Sequence, residues 1–154
     1  MPYWVQLLVQ LSFSYLSTVA FAIIINVPHR ALNLAGWAGA TGWMVYWLLM
    51  EVHAGRMMSN LLGAFAIGLA GMIFARVKKL PVILFNIPGL VPLVPGATAY
   101  QAVRALVLGK FDDAMLLTVR VAMVAGAIAV GYMMAQLLAE QTYKAQARRA
   151  SKNE

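Results

Sequence analysis

The sequence predicts an all-α membrane protein, a polytopic helical bundle of about five spans with one span broken by a Pro/Gly-rich segment. Three observations carry this. The 154 residues are 62% hydrophobic and only 11% charged, whereas globular domains sit near 45–50% and about 25%. That composition belongs to integral membrane proteins. Apolar runs close to the roughly 20 residues that cross a bilayer recur along the chain with short polar connections between them. One further run, Asn86-Ile87-Pro88-Gly89-Leu90-Val91-Pro92-Leu93-Val94-Pro95-Gly96-Ala97-Thr98-Ala99-Tyr100, is as apolar as the rest but is punctuated by three prolines and two glycines.

The first span covers residues 4–25, with Tyr3 and Trp4 suited to an interfacial belt. Gln6, Gln10 and Ser14 recur every four residues and share one helix face. That face is expected to point into protein and to serve interhelical hydrogen bonding. Pro28 in Asn26-Val27-Pro28-His29-Arg30 stops this helix. The second span, residues 31–50, carries the small-xxx-small pairs Ala35/Gly39 and Gly36/Ala40, a signature of close helix contact. The aromatics toward its end, Trp43, Tyr46 and Trp47, suit an interface. Residues 51–56 form a polar connection whose His53 reads as solvated. The third span, residues 57–75, has Gly63, Ala64, Gly68 and Gly71 as packing residues and Asn60 near one end. The last span, residues 114–138, follows the loop Gly109-Lys110-Phe111-Asp112-Asp113, with Ala122, Gly126, Ala127 and Gly131 expected to pack. Residues 1–139 thus form a transmembrane domain, and residues 140–154 a basic cytoplasmic tail that extends the last helix and then frays.

The broken segment, residues 80–108, is the candidate site. Pro88, Pro92 and Pro95 each lack an N–H and clash with the preceding turn, and each pushes the residue before it out of the α region. Gly89 and Gly96 loosen the backbone further. Non-helical backbone at membrane depth is tolerated only where protein or a water-filled cavity satisfies it, and transporters place substrate sites at such breaks. Residues 88–96 are therefore expected to be non-helical and near mid-depth, with a second helical piece from about Ala97. Its first N–H groups lack intrahelical acceptors and sit at a positive dipole end that favours anions. Thr98 and Tyr100 add hydroxyls, and Gly96 is expected to allow close approach of substrate to backbone. Arg104, four residues from Tyr100, shares its face.

Arg104 and Arg120 fall inside predicted spans, and an intramembrane arginine is by default a functional-site hypothesis. Both also lie within about two turns of the loop at 109–113, where a long side chain can snorkel or meet Asp112 or Asp113. No catalytic constellation is present, so no enzyme activity is expected. The two histidines are not at metal-ligand spacing, and no cofactor is expected. The absence of cysteine excludes disulfides and thiolate chemistry. The net charge of +7 suggests nucleic acid in a soluble protein, but here the basic residues flank apolar runs and fit topology instead. With a single crossing of the broken segment, Arg30, Arg76, Lys78, Lys79, Lys144, Arg148, Arg149 and Lys152 share one side, while Arg56 and Lys110 take the other. The positive-inside rule makes the crowded side cytoplasmic, the N-terminus periplasmic and the C-terminus cytoplasmic. Met1-Pro2-Tyr3-Trp4 has no basic n-region, so no cleaved signal peptide is expected.

Two motifs add a family. Phe21-Ala22-Ile23-Ile24-Ile25-Asn26-Val27-Pro28-His29-Arg30-Ala31-Leu32 before a Gly-rich span, and Val91-Pro92-Leu93-Val94-Pro95-Gly96-Ala97-Thr98-Ala99-Tyr100, resemble the small, C-terminal-half-like subunit of split threonine/serine exporter family transporters. The resemblance implies a bacterial inner-membrane exporter of small carboxylates: threonine and serine, or a succinate-like dicarboxylate. It also implies a larger membrane subunit as partner. The remaining expected partners are the lipid bilayer, a small carboxylate or amino-acid substrate and, as an open question, a second copy of the chain, with no nucleic acid among them. The competing class is a non-transporting membrane scaffold or accessory subunit. The family supplies no residue set to carry over, so the candidate substrate-binding residues are Pro88, Gly89, Pro92, Pro95, Gly96, Thr98, Tyr100 and Arg104, on the physical argument alone.

Overall fold

The computed structural model describes residues 2–150, with side chains to residue 142. The order is α1 (Tyr3–Ile24), α2 (His29–Glu51), α3 (Arg56–Lys78), α4 (Ile83–Leu90), a 3-10 turn (Val91–Leu93), α5 (Gly96–Val107) and α6 (Phe111–Ala150). α6 continues unbroken through residue 139, so the first part of the expected tail is helix; residues 151–154 lie outside the described residues.

α1 and α2 are antiparallel. Tyr3 stacks near Trp47, the Trp43 indole N–H donates to Gln10 Oε1 at 2.8 Å, and the Tyr15 hydroxyl meets Asn33 Oδ1 at 3.0 Å. The polar stripe of α1 faces this seam from Gln10 through buried Ser14 and Thr18, while Gln6 is exposed. Small residues set the spacing. A Cβ on Gly39 would overlap the Thr18 side chain, and one on Gly36 would press on Tyr15 and Val19. Without a hydrophobic drive between helices in lipid, such close packing is what holds them together.

α3 returns beside α2, with Tyr46 Cβ against Gly63 and Gly42 against Ile67. α6 then runs parallel to α3. Val124 and Asn60 line one cavity, Gly131 lies on the Leu61 carbonyl and Gly68 on Ala135, and Arg76 Nη2 donates to Thr142 Oγ1 at 3.4 Å. Parallel α3 and α6 require the intervening chain to travel from the end of α3 back to its start. α4 and the 3-10 turn make that journey: Asn86 packs on Gly71, Gly89 on Ile67 and Leu93 on Gly63. Reporters fused before Met1 and after Glu154 are therefore expected on opposite sides of the membrane, and finding both on one side would overturn this arrangement.

α1, α3 and α6 are long and apolar enough to cross a membrane, and the bent α4–α5 pair makes a fourth candidate. α2 is as long as α3, 23 residues, but its three indole rings with Asn33, Thr41 and Tyr46 dilute its hydropathy. Its position explains this. It is flanked by α1, α3 and α4 and buries seven small residues from Ala31 to Gly42, so much of its surface meets protein rather than lipid. The expected packing face of α6 is only partly realised. Gly131 is buried against α3, but Gly126 stands in open space and Ala122 is exposed.

α5 turns away from α4 by 57° and pairs antiparallel with the first turns of α6. Val124 is level with the first turn of α3, so the preceding 13 residues of α6, from Phe111 on, represent about 20 Å of helix at 1.5 Å per residue. α5 and this part of α6 form a hairpin reaching past the start of α3. Arg104 and Arg120 both sit exposed on it, outside the bundle of α1 to α4 and the later part of α6. They join Arg56 and Lys110 at that end, against Arg30, Arg76, Lys78 and Lys79 at the other; the side chains of Lys144, Arg148, Arg149 and Lys152 lie outside the described residues.

Candidate functional site

The three prolines do different things. Pro88 lies inside α4 and is fully buried; its fixed φ suits a helix, and the bend it imposes is absorbed by neighbouring helices. Val91, before Pro92, stays α-helical at φ −52°, ψ −45°. Only Val94, before Pro95, becomes extended, at φ −61°, ψ 129°. The non-helical backbone therefore shrinks from the expected residues 88–96 to Val94 and Pro95, and α5 starts at Gly96. Local steric preferences at Ile87 and Val91 lose to tertiary packing around Phe85, Asn86, Pro88 and Gly89, all buried.

At the break the Gly96 N–H turns back to Val94 O at 2.8 Å, and the first helical bond of α5 is Ala99 N–H to Pro95 O at 2.9 Å. The N–H groups of Ala97 and Thr98 are left without a backbone acceptor, as helix starts dictate. Thr98 lines a cavity of about 180 Å3 together with Pro92, Pro95, Arg56, Asn60 and Tyr46, with Trp43, Leu93, Val94 and Val124 completing the wall. The wall is fixed in place. Trp43 is tethered to Gln10 and packs on Tyr46 with ring centroids 5.2 Å apart. Asn60, 3% exposed, donates from Nδ2 to Arg56 O at 2.8 Å. Leu93 and Val124 belong to an apolar cluster with Ala64, Ile67 and Ile128. Arg56 opens α3 directly after Gly55, whose φ of 86° suits glycine.

The arrangement gathers donors: the Arg56 guanidinium and the Thr98 hydroxyl, beside the positive end of α5. A carboxylate is the ligand such a set accepts, through charge-assisted hydrogen bonds. The cavity is level with the first turn of α3 and with Val124 of α6.

The expected site residues separate accordingly. Pro92, Pro95 and Thr98 line the cavity. Pro88 and Gly89 are packing residues; Gly89 sits against Ile67 and the Gly39 backbone. Gly96 is exposed and has no protein atom within 4 Å of where a Cβ would stand. Tyr100 is 70% exposed. Arg104 belongs to a different notch between α5 and α6, shared with Gln101, Lys110 and Asp113. Arg56, Asn60, Trp43 and Tyr46 escaped the sequence reading. The spacing of Arg56 and Asn60, four apart at the start of a span, was the available signal.

The family described as "Threonine/Serine exporter, ThrE" matches residues 10–138 of the chain. No solved structure matches it.

Proposed function

Because the chain belongs to the threonine/serine exporter family, we propose that it is one subunit of a bacterial inner-membrane exporter of small carboxylates, threonine and serine or a succinate-like dicarboxylate, working with a larger membrane partner. The observation that supports the reading is the convergence of Arg56 and Thr98 on one cavity at the start of α5. In this reading Arg56 and the α5 start hold the carboxylate, and Asn60 holds the cavity in shape. The end bearing Arg30, Arg76, Lys78 and Lys79 faces the cytoplasm under the positive-inside rule, so the Arg56 cavity opens toward the periplasm. The partner subunit covers part of the exposed apolar face of the bundle.

The test is efflux of preloaded threonine and succinate from cells co-expressing both subunits. Hydrogen bonds to a charged group contribute roughly 1.5–3 kcal/mol, or about 10- to 100-fold in affinity. Arg56→Gln, at an exposed position, should insert normally and lower efflux at limiting substrate by at least about tenfold. Unchanged efflux would remove this cavity from the path and favour the scaffold reading.

A further inference from the structure

The Arg56 cavity has a neighbour. A space of about 260 Å3 lies on the α1 side of the bundle, with Gln10, Phe13, Ser14 and Ser17 in its lining. Of the described residues, only Trp43 and Pro92 line both this space and the Arg56 cavity. Trp43 touches each side. Its indole N–H donates to Gln10 Oε1 at 2.8 Å, and Gln10 lines the α1-side space and not the Arg56 cavity. Its ring packs on Tyr46 with centroids 5.2 Å apart, and Tyr46 lines the Arg56 cavity and not the α1-side space. The indole therefore stands as the partition between them, with Pro92 of the 3-10 turn beside it.

The two spaces differ in chemistry. Arg56 and Thr98 offer donors on one side. On the other, the hydroxyls of Ser14 and Ser17 donate to Leu11 O and Ser14 O, both at 3.0 Å, so their hydrogens are spent on the helix. Among the described residues, no charged side chain lines this second space, and Phe13 forms part of its wall. It suits a hydrocarbon side chain and not a charged group. Size matters as well. The Arg56 cavity, at about 180 Å3, lies below the roughly 300–1,000 Å3 of pockets that take drug-sized ligands, so it admits a small ligand only. Without the indole the two spaces become one, within that range.

We propose that Trp43 is the specificity-determining residue of the Arg56 cavity: its indole closes the cavity against the α1-side space and limits the carboxylates it accepts to those with short side chains. Gln10 is a positioning residue. It acts through Trp43, holding the indole across the opening by one hydrogen bond. The proposal rests on the carboxylate reading of the Arg56 cavity given above and adds to it an upper limit on ligand size. A side chain much longer than that of threonine meets the indole. With the indole removed or turned away, the same side chain reaches the space beside Ser14 while its carboxylate stays at Arg56.

L-Threonine and L-phenylalanine share an ammonium and a carboxylate and differ in the reach of the side chain. Binding of each is measured by titration calorimetry on the purified full chain in lipid nanodiscs. Wild type should bind threonine at least about tenfold more tightly than phenylalanine, the scale on which a pocket wall discriminates. Trp43→Ala should erase that preference by raising phenylalanine affinity about tenfold. Gln10→Leu, at a half-buried position, leaves the indole in the chain but without its acceptor, and should shift the ratio the same way. Gln10→Glu restores an acceptor for the indole N–H and should restore the wild-type ratio. A merely structural role for Trp43 lowers both affinities together and leaves their ratio unchanged. A wild-type ratio in Trp43→Ala overturns the proposal, and should that variant fail to fold, a wild-type ratio in Gln10→Leu does so. An unshifted Gln10→Leu beside a shifted Trp43→Ala removes the positioning role of Gln10 alone. If the proposal falls while threonine binding is still lost in Arg56→Gln, the carboxylate reading stands. No threonine binding by wild type overturns both.

Discussion

Gly131→Ala is expected to destabilise the protein more than any other single methyl group added to α6. The added Cβ would overlap the carbonyl oxygen of Leu61 and lie within 3.1 Å of its carbonyl carbon and Cα. Backbone in the second turn of α3 cannot swing aside as a side chain can, so α3 and α6 must separate. Overpacking of this kind costs roughly 1–3 kcal/mol. For a chain of this size that corresponds to a fall of about 3–10 °C in melting temperature. Gly126, five residues earlier on the same helix, is the internal control, because nothing stands within 4 Å of its Cβ position. Gly126→Ala should leave the melting temperature unchanged or raise it, since alanine is the better helix former by about 1 kcal/mol. Thermal unfolding of the two variants in one detergent decides the matter. Equal melting temperatures would mean that the α3–α6 contact is not close-packed.

Pro95→Ala is expected to abolish most efflux while the protein still inserts and stays folded. Of the three prolines, only Pro95 follows a residue outside the α region, and the clash of its ring with Val94 is what keeps ψ there at 129°. Alanine removes the clash and restores an N–H at position 95, which the 3-10 turn can use to run straight into α5. The 57° bend then relaxes, and Thr98 and the α5 start leave the cavity. Loss of the aligned donors should lower efflux by about tenfold or more, on the scale of one charge-assisted hydrogen bond, with undiminished helix content by circular dichroism. Pro88→Ala removes a proline from inside a helix, at a buried site away from the Arg56 cavity, and should affect stability and not efflux. Wild-type efflux in Pro95→Ala would show that packing alone holds the bend, or that transport does not use it.

The sequence determined that this is a helical membrane protein, where most spans begin and end, and which surfaces of α2 and α3 are close-packed. Those properties depend on composition, on apolar run length and on small residues at helical spacing, which are local quantities. Gly36/Ala40 and Ala64/Gly68 could be read this way, and the structure buries all four. Tertiary structure decided what each proline does. Pro88 and Pro92 sit in backbone that stays helical because α4 is packed against α2 and α3, and a steric preference of single residues yields to that packing. It also decided which residues share a cavity. Arg56 and Thr98 are 42 positions apart and meet only because α4 carries the chain back along α3. Tyr100 and Arg104, neighbours of Thr98 in sequence, turn away because the bend at Pro95 points their helix past the bundle. The hydrogen bond between Asn86 and Tyr132 was hidden for the same reason. Asn86 and Tyr132 read separately as a polar residue in an apolar run and an aromatic in a span, and only the parallel course of α3 and α6 brings α4 between them.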